Sequence, residues 1–266
     1  MLGGIIGDIV GSIYEFQNIR TKVFPFFDSR SGYTDDTILS IATAKWILDG
    51  AHPNESCKYY FRYGFNYSNP CGGYGGGFTA WLSRAEYGDF SPYNSCGNGS
   101  AMRVGPVGWA FETISEVLEY AKYSAIATHN HVEGIKGAQA IALSIFLSRH
   151  NASKDVIRKE IEGRFGYSLN FTCNEIRETY RWGDLCQNTV PQAIVAFIDG
   201  ADFEDCIRNA ISIGGDSDTL ACITGSIAEA YYGIPQVLYD KALRYLTPHF
   251  IDVIKGFEER YGNKIC

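Results

Sequence analysis

The sequence predicts an all-α protein that folds as one compact domain over residues 1–266. Apolar residues recur at spacings of three and four, which places them on one face of a helix. Alternation of apolar and polar residues, the mark of a half-buried strand, is nearly absent, and we expect at most residues 23–27 to be extended. No linker divides the chain, and 266 residues can still share one core.

The first predicted helix carries glycines and acidic residues on one face. Gly4, Asp8, Gly11 and Glu15 follow one another at spacings of four, three and four. A continuous helix would therefore point Asp8 and Glu15 in the same direction, and the glycines would let another backbone come close. The spacing does not indicate a membrane dimer, because the flanking segment is too short and too polar.

Two short segments, one near each end of the chain, resemble each other, and each precedes an apolar helix. They are Tyr33-Thr34-Asp35-Asp36-Thr37 and Gly214-Gly215-Asp216-Ser217-Asp218-Thr219. Asp and Thr are common helix N-caps, so on residue types alone capping is the preferred interpretation. The surplus oxygens also suit hard cations such as Mg²⁺, Mn²⁺ or Ca²⁺. If the segments met in space, a dinuclear metal site would follow, because four aspartates without a cation repel one another.

Small residues mark two loops between these segments. Residues 66–78 are rich in Gly and Tyr and could form a mobile flap. Residues 94–103 form a small-residue turn before a predicted helix, where successive backbone N–H groups can hold a phosphate. Taken alone, each stretch is more often an ordinary loop.

His129 and His131 lie two residues apart and would not share a helical face, so we expect neither to ligate a metal.

The remaining periodic segments predict core-facing helices. They cover approximately residues 38–47, 117–125, 135–145, 154–164, 191–198, 203–213, 219–232, 235–245 and 250–261. Several open with a proline or an acidic first turn, as helices commonly do. No repeat of 20–50 residues is evident, which argues against a solenoid.

Composition limits the classes of binding partner and the cellular compartment that the sequence predicts. The net charge of -7 and the lack of a basic run argue against a nucleic-acid partner held by its phosphates. The eight cysteines contain no CxxC pair, so we expect reduced thiols and no zinc site. No apolar stretch approaches the ~20 residues that span a bilayer, and no signal-peptide pattern opens the chain. We therefore expect a cytoplasmic monomer.

Five motifs, taken together, resemble those of a known family. In chain order they are Gly7-Asp8-x-x-Gly11-x-x-x-Glu15, Thr34-Asp35-Asp36-Thr37, Gly97-Asn98-Gly99-Ser100-Ala101-Met102-Arg103, Thr128-His129-Asn130-His131 and Gly214-Gly215-Asp216-Ser217-Asp218-Thr219. This order is similar to that of the ADP-ribosylglycohydrolases, and the resemblance spans almost the entire chain. It implies an orthogonal all-α fold with two Mg²⁺ or Mn²⁺ ions at the base of an ADP-ribose cleft. That implication reverses the preference for capping alone.

The resemblance also implies roles for individual residues. The metal ligands would be Thr34, Asp35, Asp36, Asp216, Asp218 and Thr219. The substrate would contact Gly75, Ser95, Cys96, Gly97, Asn98, Gly99, Met102 and His129. Glu15 would be the acid and base at the scissile bond, and Asp35 or Asp216 is the competing candidate. Two departures from the family are small: Val132 replaces a frequent proline, and Cys96 stands where some members have an aromatic residue.

The predicted function is therefore a metal-dependent hydrolase that releases ADP-ribose from an acceptor. The acceptor could be an arginine, a serine, a nucleic-acid end or a small conjugate. Two other classes stay open: a non-catalytic ADP-ribose-binding or structural protein with the same fold, and a dinuclear phosphohydrolase that cuts the diphosphate. The intact aspartates argue against the first class, and the identity of the product would separate the second.

Overall fold

Helices make up the regular structure of the chain, as the apolar spacing predicts. A computed structural model describes residues 1–262 and contains fifteen helices and no β-strand in that range. In chain order they are α1 (Leu2–Gly11), α2 (Asp35–Leu48), α3 (Ser56–Asn66), α4 (Gly76–Ala85), α5 (Gly99–Met102), α6 (Gly105–Ala110), α7 (Ile114–Ile126), α8 (Val132–Arg149), α9 (Lys154–Phe165), α10 (Cys173–Ile176), α11 (Cys186–Asp199), α12 (Phe203–Ser212), α13 (Ser217–Tyr232), α14 (Gln236–Leu243) and α15 (Pro248–Tyr261). A single isolated bridge within the described range pairs Gly97 with Leu185. The all-α prediction is confirmed.

Helix α13 lies at the centre of the core. Its residues from Ser217 to Ala230 are all buried, and helices α1, α8, α11 and α12 pack around it. A helix that is apolar on every side has to be covered on every side. One continuous apolar core extends from α1 to α15, and the helices form one compact domain. Residues 263–266, which include Cys266 and the end of the expected domain, lie outside the described range.

Helices α1 and α13 meet along glycines that allow backbone contact. A Cβ atom at Gly7 would lie 2.0 Å from the carbonyl oxygen of Ala221, and one at Gly225 would lie 2.2 Å from the carbonyl oxygen of Gly3. No larger residue fits at either position without moving a helix. The predicted glycine face is therefore present, and it packs against the helix that follows the second acidic segment.

The expected helical face does not extend to Glu15, so this part of the prediction is wrong. Helix α1 ends at Gly11, and the N–H of Tyr14 donates to the carbonyl oxygen of Gly11 at 2.8 Å. This bond closes a tight turn, and Glu15 lies beyond it. Glu15 consequently reaches the functional site from a turn and not from the helix that carries Asp8.

The other differences concern helix bounds. Helix α11 begins at Cys186 and contains Pro191 in its interior, whereas a start at Pro191 was expected. Proline leaves the carbonyl oxygen four residues earlier, that of Gln187, without its helical bond, and Gln187 is exposed to water. Helices α3, α4 and α10 were not predicted, and residues 23–27 contain no strand. The helix expected to follow the small-residue turn is present as the two short helices α5 and α6. Within residues 1–262, no helix has both the length and the apolarity that a membrane span requires.

Candidate active site

A cleft of about 380 Å³ brings together residues from both ends of the chain. Thirteen of the fifteen residues expected at the site line it. They are Glu15, Asp35, Asp36, Gly75, Ser95, Gly97, Asn98, Gly99, Met102, His129, Asp216, Asp218 and Thr219. Thr34 and Cys96 do not line the cleft. The two similar acidic segments thus meet in space, as the metal-site interpretation requires.

The two exceptions make structural hydrogen bonds next to residues that line the cleft. Thr34 is buried and precedes helix α2, where its hydroxyl accepts a hydrogen bond from the N–H of Asp36 at 3.2 Å. Thr34 therefore caps the helix, as its residue type predicts. The backbone carbonyl of Cys96 accepts a hydrogen bond from the N–H of Cys186 at 3.0 Å, which joins the turn to helix α11.

Asp8 positions one of the acidic segments, although the sequence indicated no role for it. It is fully buried in α1, and its Oδ2 accepts hydrogen bonds from the N–H groups of Thr34 and Thr37 at 3.0 and 3.1 Å. Its Oδ1 accepts a hydrogen bond from the hydroxyl group of Thr34 at 2.7 Å. Burial raises the pKa of Asp8 to about 6, although these hydrogen bonds act to lower it. A lone carboxylate on a glycine-rich apolar helix was the available signal, because a buried charge needs partners.

The contacts of Asp8 hold the start of helix α2 against helix α1. As a result, Asp35 and Asp36 are fixed relative to the glycine contact between α1 and α13.

The second acidic segment begins helix α13 differently, since Asp216 stands at the N-cap and makes no side-chain capping bond. Its Oδ2 instead accepts a hydrogen bond from the side-chain amide of Asn98 at 2.7 Å. Capping therefore accounts for Thr34 but not for Asp216.

Carboxylate oxygens from separate segments converge at the base of the cleft. One oxygen from each of Glu15, Asp216 and Asp218 lies within 4.8 Å of the others. The hydroxyl of Thr219 donates to Oδ1 of Asp36 at 3.3 Å, whereas Oδ2 of Asp36 is buried and has no hydrogen-bond partner. An ionised oxygen that is buried and unpaired is costly unless a cation neutralises it.

The pKa shifts of the carboxyl groups also indicate that the cleft lacks positive charge. Burial, followed by repulsion from neighbouring carboxylates, raises the pKa of Asp35, Asp36 and Asp218 well above the usual range. Burial, followed by the charges of Asp216 and Asp8, raises the pKa of Glu15 to about 7. No Lys or Arg in the described part of the chain forms an ion pair with these groups. The oxygen-rich set fits hard divalent cations.

A chain of hydrogen bonds, here called the relay, orients His129, which lines the cleft away from the acidic residues at its base. The Nη2 of the buried Arg103 donates to the hydroxyl oxygen of Thr128 at 2.9 Å, and that oxygen lies 2.7 Å from Nδ1 of His129. Arg103 can only donate, which leaves the hydroxyl proton of Thr128 available to Nδ1 and favours the tautomer with the ring proton on Nε2. Burial and then the charge of Arg103 lower the pKa of His129 well below its usual range, which favours the neutral ring.

The Nε2 of His129 lies next to the turn that follows Ser95. A Cβ atom at Gly99 would be 3.1 Å from this nitrogen, and one at Gly97 would be 3.6 Å from it. The glycines keep the space beside this nitrogen open. Gly72, on the other side, has φ +76 and approaches Glu15 so closely that a Cβ there would lie 2.7 Å from Oε2. The glycine-rich stretch that follows Gly72 covers the acidic base of the cleft.

Comparison with known proteins assigns the family. The family model described as ADP-ribosylglycohydrolase matches residues 1–255. ADP-ribosylhydrolase ARH3 of Homo sapiens is 26% identical, over 89% of this chain and 85% of that protein. ADP-ribosylarginine hydrolase Tri1 of Pseudomonas putida (strain GB-1) is 25% identical, over 88% of this chain and 70% of that protein.

A solved structure shares the fold. It is that of an ADP-ribosylglycohydrolase-related protein complex, with a TM-score of 0.71 and 24% identity, over 98% of this chain and 97% of that one. The cleft, the paired acidic segments and the match over residues 1–255 agree with one another. The chain therefore belongs to the ADP-ribosylglycohydrolase family, whose members are hydrolases that act on glycosyl compounds.

Proposed function

We propose that this family member hydrolyses the bond between ADP-ribose and an acceptor, with the help of two Mg²⁺ or Mn²⁺ ions. The observation that carries the proposal is the unpaired, buried Oδ2 of Asp36 in a cleft whose base consists of carboxylates from both ends of the chain. The names of the relatives ARH3 and Tri1 support an ADP-ribosyl substrate.

Six residues would hold the two ions. They are Thr34, Asp35, Asp36, Asp216, Asp218 and Thr219, which supply carboxylate and hydroxyl oxygens, and all of them except Thr34 line the cleft. Asp36 Oδ2 is available for coordination, and Asp218 lies within reach of Asp216 and Glu15. When bound, the ions would orient a water molecule and the ribose hydroxyls at the reacting carbon.

Glu15 is the proposed acid and base. Its carboxylate lies in the cleft beside those of Asp216 and Asp218, and burial, the largest cause of its raised pKa, favours a group that can take and give a proton near neutral pH. As a base it accepts a proton from the water whose oxygen bonds to the anomeric carbon of the ribose. The bond from that carbon to the acceptor breaks, and Glu15 returns a proton to the acceptor atom. Neighbouring carboxylates would stabilise the oxocarbenium-like transition state, and Asp35 or Asp216 is the competing candidate for proton transfer.

The turn at Ser95–Gly99 is the proposed site for the diphosphate. Its support is the position of Nε2 of His129 beside Gly97 and Gly99, because the N–H that the relay favours there can donate to a phosphate oxygen. The N–H of Gly97 donates to the hydroxyl oxygen of Ser95 at 3.0 Å, which holds the turn in shape. Gly75, Asn98 and Met102, which line the cleft, and Cys96, which does not, complete the proposed substrate contacts.

Identification of the products by mass spectrometry tests the function. The protein would be incubated with Mg²⁺, with Mn²⁺ or with EDTA, on peptides that carry ADP-ribose on arginine or on serine. We expect intact ADP-ribose, released only with a divalent ion, and no release by Asp218→Ala. AMP and ribose phosphate would point instead to a phosphohydrolase, and binding of ADP-ribose without release from any conjugate would indicate a non-catalytic protein.

The compartment and the oligomeric state belong to the same proposal. We infer a cytoplasmic monomer. Support for a reducing compartment comes from Cys57, Cys71, Cys96, Cys173, Cys186, Cys206 and Cys222, the cysteines of the described range, all of which are free thiols. Size-exclusion chromatography with light scattering would measure the oligomeric state directly.

A further inference from the structure

An exposed pair of aromatic rings stands at the mouth of the cleft, next to Glu15. The ring of Phe16 is 70% exposed and that of Trp182 is 49% exposed. The two rings stack with their centroids 5.8 Å apart and their planes at 15°, and both line the cleft. We call Phe16 and Trp182 the rim pair. Large apolar side chains left in water at the edge of a cleft are typical of a binding surface.

The rim pair is held in place by bonds to the base of the cleft. Two residues after Trp182, the carbonyl oxygen of Asp184 accepts a hydrogen bond from the N–H of Asn98 at 2.7 Å. Next to Trp182, the carbonyl oxygen of Gly183 accepts the hydroxyl proton of Thr189 at 3.1 Å. The segment of Trp182 is therefore fixed on both the cleft and helix α11. Its exposure is not that of a free loop tip.

The charged residues that line the cleft beside the rim pair are acidic. Arg181, the neighbour of Trp182, does not line the cleft and donates to the carbonyl oxygens of Glu178 and Tyr180. Glu15 adjoins Phe16, Asp184 is exposed beside Trp182, and both carboxylates line the same cleft. Among the described residues that line it, Arg103 alone carries a fixed positive charge. Arg103 is fully buried and bonded to Ser124 and Thr128 at the His129 side, so it does not neutralise the mouth.

We propose that the rim pair binds the acceptor and selects a planar cation, the guanidinium group of an ADP-ribosylated arginine. This inference rests on the proposed function, since it takes Glu15 to lie at the scissile bond. A guanidinium group stacks on aromatic faces, and its remaining N–H groups bind carboxylates. Glu15 and Asp184 are placed to accept them. A serine acceptor has neither the charge nor the planar face.

The chemistry of the step is the same hydrolysis with nitrogen as the leaving atom. The oxygen of water bonds to the anomeric carbon, the bond from that carbon to the guanidinium nitrogen breaks, and the nitrogen takes up one proton. The released arginine keeps its charge. Glu15, between the rim pair and the acidic base, would deliver that proton.

The test compares two peptides that differ only in the acceptor, arginine or serine, on the wild type and on four variants. Trp182→Leu and Phe16→Leu keep apolar volume but remove an aromatic face, whereas Trp182→Phe keeps a face. Tyr87→Leu is the matched control, because Tyr87 is 88% exposed and does not line the cleft. Affinity for free ADP-ribose is measured by calorimetry for each variant.

We expect the wild type to prefer the arginine peptide in kcat/KM. Each leucine variant should lose about tenfold on that peptide, an effect of the size of one cation–π contact. Trp182→Phe should recover most of the loss, and Tyr87→Leu should show none. The affinity for free ADP-ribose should stay within twofold, because the rim pair contacts the acceptor and not the nucleotide.

Three results would overturn the inference alone. They are a preference for the serine peptide, full activity of both leucine variants on the arginine peptide, and an equal loss of affinity for free ADP-ribose, which would place adenine on the rim pair. Failure of the wild type to release ADP-ribose from either peptide would overturn the proposed function and this inference with it.

Discussion

Thr128 shows how a single hydroxyl can decide what a histidine presents to a ligand. It accepts a hydrogen bond from Arg103 and lies 2.7 Å from Nδ1 of His129, and all three side chains are buried. Because arginine can only donate, the hydroxyl proton of Thr128 is available to Nδ1, and this arrangement favours an N–H on Nε2. The Nε2 atom lies beside Gly97 and Gly99.

Thr128→Val should release His129 from this preference for one tautomer. Valine has a similar shape but offers no proton to Nδ1, so the ring can place its proton on either nitrogen. We expect the ¹⁵N spectrum of His129 to show a mixture, and the affinity for ADP-ribose to fall about fivefold, the effect of one hydrogen bond near 1 kcal/mol. Thr128→Ser, which keeps the hydroxyl, is the control. An unchanged Nε2–H signal in the valine variant would disprove the relay.

Residue types alone could predict candidates for the site but not all of their roles. Asp36 and Asp218 were recognisable because each acidic segment contains more carboxylates than a helix cap needs. Asp8 received no role, because its partners Thr34 and Thr37 lie on another helix and only the fold brings them together. The convergence of the two segments was implied by the family resemblance, whereas residue types alone favoured capping.

At the scale of helices, the glycine contact between α1 and α13 determines the geometry of the site. Helix α13 begins with the second acidic segment, and helix α1 carries Asp8, which holds the first segment in place. A Cβ atom at Gly7 would approach the carbonyl oxygen of Ala221 to 2.0 Å, and backbone atoms cannot move aside as a flexible side chain can. The distance between the two helices is therefore fixed by the absence of side chains.

Gly7→Ala and Gly163→Ala should affect the free energy of unfolding in opposite directions. The first forces α1 away from α13, and we expect a loss of about 3 kcal/mol or more. Gly163 lies in α9 with nothing within 4 Å of the added Cβ, so alanine should stabilise the protein by about 0.5–1 kcal/mol. Urea unfolding followed by circular dichroism measures both. A Gly7→Ala protein as stable as the wild type would show that this contact can relax.

Long periodic helices could be predicted with their bounds, and short glycine-rich ones could not. Helices α8, α9, α12 and α13 follow apolar spacing and were expected within a few residues of their observed ends. Helices α4, α5 and α6 begin with glycine, the poorest helix former apart from proline, so local preference argues against them. Their helical form depends on packing against α2, α3 and α8, which no single segment reveals.

At the scale of the whole molecule, the site joins distant parts of the chain and should couple ion binding to global stability. An ion that binds only the folded state at one hundred times its Kd adds about 2.7 kcal/mol. For a chain of this size we expect Mg²⁺ or Mn²⁺ to raise the Tm by about 5–10 °C relative to EDTA. Differential scanning calorimetry measures this. Identical Tm values with either ion and with EDTA would contradict the ion site.

Asp218→Asn is the variant that separates ion binding from repulsion. Because folding raises the pKa of Asp218, its protonated form favours the folded state, and this contribution is lost when the pH rises above that pKa. At neutral pH, ionised Asp218 therefore opposes folding. The amide should therefore raise the Tm in EDTA by a few degrees and abolish the shift caused by Mg²⁺. Asp252→Asn, at an exposed position, should change neither value. A lower Tm in EDTA would count against repulsion at this site, and a full Mg²⁺ shift would count against Asp218 as an ion ligand.

The contact between Asp36 and Thr219, 183 residues apart in sequence, has a consequence for protein synthesis. At a translation rate of about 5–20 residues per second, the ribosome needs on the order of 10 to 40 s to make the intervening chain. Throughout that interval the nascent chain carries only the first acidic segment, with the glycines of α1 exposed and no α13 to cover them. The enzyme should acquire the proposed ion site and its activity only after residue 232 has left the exit tunnel, so a stalled or truncated chain would be inactive however well its first helices form.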